Sequence, residues 1–340
     1  MKGARKDLSS FKKDLAELME NDFPSGAENE IFHDMLFNIG KLREEKLDVL
    51  ELRLLNTAFA ELRYALKVFK PYRHIPKAAV FGSARLKKNH PDFKLAESFG
   101  RKFVKKGWML ITGGASGIME AAMIGAGAKN SFGLNIMLPF EQQPNETIRG
   151  NAKLIYFKYF FTRKLMFLKE SQATVLFPGG FGTFDEGFES FTLVQTGKAR
   201  PRPLVFVDTP QSVFWKALLS YVKKNMGGGG LISPHDLSLV RHVQDADRAV
   251  EEVTGFYKNY DSSRFLRDQY LIRLKKPVTD RAMEYLNTHF RDILTRGFFE
   301  RLDDLHEDDM QGPLLYRVVF DFDRSNYARL RQLIDYLNSL

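Results

Sequence analysis

The spacing of apolar positions changes near residue 77. Before it, Leu47, Leu50, Leu54, Leu62 and Leu66 recur close to the helical period among many charges, which predicts helix over residues 1 to about 70. Pro71 and Pro76 end that stretch. After it come short apolar runs, Lys77–Phe81, Trp108–Thr112, Phe132–Leu138, Thr174–Phe177 and Leu204–Val207, which read as buried strands. Helical patterns separate them, over 91–106 and in an Ala- and Met-rich stretch to about 129. This βαβ spacing predicts a doubly wound α/β fold on a mostly parallel sheet with right-handed crossovers. Gly227–Gly230 reads as a flexible loop, and Arg241–Val243 as a last strand before a helix at 246–257. Beyond about 260, a strand at Tyr316–Phe322 and a helix at Tyr327–Leu337 predict a small C-terminal α/β extension. The expected segments are 1–72 (helical, without visible chemistry), 73–258 (the sheet) and 259–340.

Composition narrows the chemistry. The 340 residues include no cysteine, which excludes disulfides and thiolate metal sites, and seven scattered histidines without an H-x-x-x-H pair give no reason to expect a metal. The formal charge is +9, but acids and bases alternate through most of the chain. Short clusters such as Arg101-Lys102, Lys105-Lys106 and Lys198–Arg202 suit a solvated basic face that draws in a small anion better than a nucleic-acid surface. The basic N-terminal stretch lacks the apolar core of a signal peptide, and no run approaches the ~20 apolar residues of a membrane span. The expectation is a cytoplasmic protein with no membrane partner.

In an open parallel sheet, ligands sit beyond the carboxyl ends of the strands. Three glycine-bearing loops fall there, each leading into a helix: Phe81-Gly82-Ser83-Ala84-Arg85, Gly113-Gly114-Ala115-Ser116-Gly117 and Pro178-Gly179-Gly180-Phe181-Gly182-Thr183. Glycine lets backbone N–H groups approach a phosphate, and a helix N-terminus supplies positive partial charge. The first strand is not followed by G-x-G-x-x-G with an acid ~20 positions on, and there is no G-x-x-x-x-G-K-[ST] run. A Rossmann-like site for one phosphate therefore fits better than one for a dinucleotide or a triphosphate. The third loop also reads as a capping box, with Thr183 as N-cap and Glu186 at N3. A capping box needs no Pro-Gly-Gly-x-Gly ahead of it.

The run Pro178–Glu186, P-G-G-x-G-T-x-x-E, resembles the hallmark of the LOG (Lonely guy) phosphoribohydrolases, long mislabelled as lysine decarboxylases. Gly113–Met119 is similar to that family's G-G-x-x-G-x-M, and Arg163-Lys164 to its basic pair; the likeness covers about residues 76–225. The resemblance implies cleavage of nucleoside 5′-monophosphates, AMP-like ones among them, to free base and ribose 5-phosphate, without cofactor or metal. It also implies a homo-oligomer, at least a dimer, with site walls shared across subunits. Arg163 and Glu186 are the implied catalytic residues. The implied substrate contacts are Gly82, Ser83, Gly113, Gly114, Gly117, Met119, Glu141, Lys164, Gly179, Gly180, Gly182, Thr183, Asp185 and Thr192. The chemistry agrees: breaking a ribosyl bond builds oxocarbenium character that a carboxylate such as Glu186 stabilises, and a guanidinium such as Arg163 grips phosphate or polarises a leaving base.

Plainer readings stand beside these. Arg163 has a plainer reading as a surface arginine at a helix start, Thr192 reads equally as a helix-surface residue, and Met119 also reads as packing. The aromatic run Tyr156, Phe157, Tyr159, Phe160 and Phe161 suits core or subunit interface, with one ring left to stack on a base. In place of the M-H-x-R-K of short plant-type members stands Tyr159–Lys164, and Leu138–Glu141 looks more like the long bacterial nucleosidases. General nucleotide turnover is favoured over activation of cytokinin riboside 5′-monophosphates. A non-catalytic carrier or sensor of nucleotides is the alternative from another class. A decarboxylase would need a lysine set for pyridoxal phosphate, and none is recognisable.

Overall fold

The computed structural model describes residues 27–139, 143–302 and 315–340. The chain separates into two compact units, Met1–Phe59 and Ala60–Leu340; the sequence placed boundaries at 72/73 and 258/259. In the first unit, helix α1 (Ala27–Glu44) buries no residue. Helix α2 (Val49–Phe69) starts with a reciprocal capping box: Asp48 Oδ1 accepts from the Leu50 and Glu51 N–H groups, and Glu51 Oε2 accepts from Asp48 N.

The second unit is built on seven parallel strands: β1 (Lys77–Phe81), β2 (Met109–Thr112), β3 (Ser131–Ile136), β4 (Leu154–Phe157), β5 (Ala173–Leu176), β6 (Leu204–Val207) and β7 (Val240–Val243). Their order is β4-β3-β2-β1-β5-β6-β7, so the winding reverses at β1. This is the doubly wound Rossmann-like sheet expected, and it places a crevice beyond the carboxyl ends of β1 and β5. Alternation within the buried strands feeds two cores. Ala78, Val80, Leu110, Val175 and Val205 pack with helices α3 (Pro91–Val104), α4 (Ile118–Ala126) and the later Ala246–Phe256 helix. Ala79, Phe81, Ile111, Leu134 and Leu176 pack on the other face, with α5 (Phe160–Glu170), Trp215 and the end of α2, whose Ala65 and Phe69 are fully buried. Helix α6 (Phe181–Gln195) follows β5, and α7 (Phe214–Tyr221) follows β6.

Strand β4 was not anticipated, because the aromatic run Tyr156–Phe161 passes from strand into helix without a period change to mark the joint. The expected loop Gly227–Gly230 is instead tied to the helical stretch before it: Gly228 N donates to Lys223 O and Leu231 N to Met226 O. After α8 (Ala246–Phe256) come strands β8 (Tyr260–Leu266) and β9 (Gln269–Leu274), helix α9 (Asp280–His289), strands β10 (Leu294–Arg301) and β11 (Tyr316–Phe322), and helix α10 (Tyr327–Ser339). These four strands form an antiparallel sheet ordered β10-β11-β9-β8. Asn338 of α10 fastens it to the end of α8, accepting from Asn259 N and Tyr260 N and donating to Phe256 O. Among the described residues, no helix is long and apolar enough to cross a membrane.

The burial of Ala65 and Phe69 yields a testable consequence for truncation. Removal of residues 1–59 should leave the melting temperature of the remaining unit nearly unchanged, whereas removal of 1–70 should lower its stability by about 3 kcal/mol or more through loss of the Phe69 ring alone. Equal melting temperatures of the two truncated chains, measured by circular dichroism, would contradict this packing.

Candidate functional site

The three glycine loops meet at the carboxyl edge of the sheet. The Ser83 backbone bridges the other two: its N–H donates to Pro178 O at 3.0 Å, and its carbonyl accepts from Ile118 N at 3.0 Å. Ser116 Oγ adds a bond to Ala84 O, and Asn145 Nδ2 donates to Gly114 O and Ala115 O. Such approach requires glycine at two points above all. A Cβ on Gly117 (φ +71°) would lie 2.2 Å from Ser83 O, and one on Gly179 would lie 2.1 Å from Thr183 Oγ1 and 2.9 Å from Ser83 N. Gly113 and Gly82 are constrained by side chains, Met119 Sδ and Ile118 respectively, so Met119 packs beneath the second loop. Around Gly180 and Gly182, in contrast, there is open space. Backbone N–H groups at the start of α6 are thus approachable.

Helix α6 begins one turn earlier than the capping box requires. Gly180 is the N-cap, its carbonyl accepting from Thr183 N at 2.9 Å and Phe184 N at 3.2 Å. Thr183 is already inside the helix, buried against Gly179. Extended backbone at Gly180 offers the first carbonyl without any side-chain cap, and Glu186 is consequently free of capping duty.

Glu186 instead faces Arg163. Arg163 stands in the first turn of α5, after β4, and Glu186 in the second turn of α6, after β5, so both lie at the carboxyl edge. Arg163 Nη2 is 3.5 Å from Glu186 Oε1, with side chains 13% and 7% exposed. That is long for a charge-assisted hydrogen bond. Burial is the largest influence on both groups. It raises the Glu186 carboxyl to about 7 against the opposing pull of Arg163 and Lys164, and it lowers the Arg163 guanidinium against Glu186 and Asp185. The attraction between them does not repay their desolvation. Among the described residues, Arg163 Nε is buried without a hydrogen-bond partner, and the guanidinium lies 5.0 Å from the Phe160 ring centroid.

Lys164 ties the two helices together, bonding Asp185 Oδ1 at 2.8 Å and Glu189 Oε2 at 2.6 Å. Burial works against its charge, but these carboxylates outweigh it and hold its pKa up. Behind the pair stands Glu61, which sequence reasoning passed over. Its carboxylate accepts from Thr162 Oγ1 and Lys158 N, both at 2.6 Å, at the positive end of α5. Glu61, in the part of α2 that belongs to the second unit, thereby braces the first turn of the helix that presents Arg163. Nothing in the charge pattern of α2 distinguishes Glu61 from its solvated neighbours.

Ser83, Pro178 and Gly179 also floor a cleft of about 510 Å³, walled by His90, Thr209 and Ser212. None of those three wall residues carried a sequence signal. His90 caps α3 through Nδ1, and the buried Asp92 beside it accepts from Thr209 N. Thr192 lines a different, apolar cavity of about 130 Å³ with Phe188 and Trp215. Of the aromatic run, Phe157 is core, whereas Tyr156, Phe160 and Phe161 are about half exposed. Glu141 lies outside the described residues.

Residues 116–253 match a family model described as "Possible lysine decarboxylase". The cytokinin riboside 5′-monophosphate phosphoribohydrolase of Rhodococcoides fascians is 26% identical over 162 residues, covering 47% of this chain and 80% of that protein. The molybdenum cofactor binding protein of Rippkaea orientalis is 18% identical, with a TM-score of 0.38 over 53% of this chain and 96% of that one. The Moco carrier protein of Chlamydomonas reinhardtii is 22% identical, with a TM-score of 0.37 over 53% and 96%.

Proposed function

The chain belongs to the LOG family, and from that premise we propose that it hydrolyses the N-glycosidic bond of nucleoside 5′-monophosphates, AMP-like ones among them, to free base and ribose 5-phosphate. The observation that carries this reading is the buried Arg163–Glu186 pair at the strand ends. As the C1′–N bond breaks, its electron pair leaves with the base and positive charge builds on the sugar. Ionised Glu186 stabilises that charge and orients the attacking water. The water oxygen bonds to C1′, and a proton ends on the base nitrogen. Arg163 brings its unused Nε–H to the phosphate or the leaving base. The N–H groups at the start of α6, beside Gly180 and Gly182, receive the phosphate.

A nucleotide carrier would need the phosphate cradle but not a buried carboxylate displaced to about 7 beside an arginine. The Tyr159–Lys164 run favours general nucleotides over cytokinin ribotides. Phe181 is 95% exposed and Phe160 and Phe161 about half exposed beside the site, which suits a partner subunit; we read the active form as a cytoplasmic homo-oligomer, at least a dimer.

The test is a panel of nucleoside monophosphates assayed for ribose 5-phosphate. AMP or another 5′-monophosphate should be turned over with little activity on the free nucleoside, since the cradle is built for one phosphate. Equal rates on adenosine and AMP would overturn the proposal.

A further inference from the structure

A second polar cavity lies toward the C-terminal ends of α5 and α6, whose N-terminal turns carry the Arg163–Glu186 pair. It measures about 490 Å³ and opens between α5, the segment after α6, and the start of β8. Its charged lining is Lys169, Lys198, Arg200, Arg202 and Asp261. Lys169 is neutralised by Glu170 at 2.6 Å, which leaves three cations against the one carboxylate of Asp261. Asp261 is itself engaged by Ser262 Oγ.

Arg202 is the unusual member. It is only 6% exposed, and among the described residues its hydrogen bonds go to carbonyls and a hydroxyl, none to a carboxylate. Its Nη1 donates to Leu168 O, its Nη2 donates to Ser171 O and Oγ, and its buried Nε–H has no acceptor among the described residues. Burial holds this guanidinium down to about 10, against an opposing contribution from Tyr257. A buried cation without a counter-charge is costly, and the cost falls when an anion enters beside it. The volume is that of a small-molecule site rather than of a single ion, and guanidinium groups with a lysine are the usual receptors of phosphate oxygens.

We propose that this cavity is a second ligand site, taking a small phosphorylated metabolite on Lys198, Arg200 and Arg202. The site is wired to the first by two helices. Leu165 and Leu168 of α5 and Leu193 of α6 line it, while the N-terminal turns of the same helices carry Arg163 and Glu186. Arg202 also holds the last carbonyls of α5. Occupancy therefore bears on the spacing of the catalytic pair, a consequence that rests on the function proposed above; the binding does not.

Calorimetric titration of the full chain with inorganic phosphate, pyrophosphate and ribose 5-phosphate separates the two. Lys198 and Arg200 are exposed, so Lys198→Ala and Arg200→Ala should fold normally, and each should weaken binding of the preferred probe about 10-fold or more. Glu186→Gln and Arg163→Ala should leave that binding in place. In the Arg163→Ala chain, where the first site's grip on phosphate is weakened, tighter binding of ribose 5-phosphate than of the inorganic anions would identify a sugar phosphate; the reverse would identify a bare polyphosphate group. The proposal fails if none of the three probes binds, or if binding survives both surface substitutions and disappears with Arg163→Ala. The last outcome would assign the anion to the first site.

Discussion

Glu186→Gln is expected to abolish most turnover, by about 100-fold or more in kcat, while binding of AMP persists. The substitution keeps size and most hydrogen bonding but removes the charge that, in the proposed reaction, faces the developing oxocarbenium ion. Its pH dependence provides an internal check. The carboxyl titrates at about 7 in the folded chain against 4.5 when unperturbed. If the ionised form acts, wild-type kcat rises with pH through about 7, and the residual rate of the variant is flat across that range.

Stability moves in the opposite sense. A carboxyl whose folded pKa is raised carries no ionisation penalty below its unfolded value; the penalty grows between 4.5 and about 7 and is complete above that. It is on the order of 3 kcal/mol for such a shift. Glu186→Gln should therefore raise the melting temperature at pH 8 and leave it nearly unchanged near pH 4.5. Arg163→Ala should also lose turnover, with weaker binding where the guanidinium holds the phosphate. A Glu186→Gln variant with kcat near wild type would send the search for the catalytic carboxylate to Asp185, Glu141 or elsewhere.

Gly117→Ala is expected to destabilise the unit by ~3 kcal/mol or more. The residue has φ +71°, and the new Cβ would meet Ser83 O at 2.2 Å and Ala84 Cα at 2.8 Å. Both are backbone atoms, so relief requires moving the first loop away from the second. That breaks the bond from Ile118 N to Ser83 O and with it the floor of the cleft. Nucleotide binding should weaken along with stability. Gly180→Ala is the control: its Cβ meets nothing and its φ is −91°, so stability should change by no more than about 0.5 kcal/mol. Chemical denaturation of the two variants reads the contrast, and equal midpoints would mean that the loops do not rest on one another as described.

These two residues also show where sequence and tertiary structure divide the work. The doubly wound sheet was legible because buried parallel strands are short apolar runs bounded by glycine, and helices of βαβ length between them leave few other topologies. The loops at 82, 113 and 179 were legible for the same reason: glycine clusters at strand ends have few uses. Glu186 is legible through the Pro178–Glu186 run and Arg163 through the basic pair upstream of it, but their burial, their 3.5 Å separation and the carboxyl raised to about 7 arise only when α5 and α6 pack side by side. The capping box looked sound locally and lost to the extended backbone of Gly180, which starts α6 one turn sooner. Glu61, Thr209 and Arg202 left no trace in the pattern of the chain. Each is a polar residue whose role depends on a partner about 30 to more than 100 positions away in sequence, and local periodicity carries no information about such pairs. The antiparallel sheet of the C-terminal region was only partly visible, as β11 and α10, because β8 and β10 are edge strands that keep much of their surface polar. What the linear pattern determined was the scaffold and the cradle; what folding alone decided was which charges are stripped of water and left facing one another.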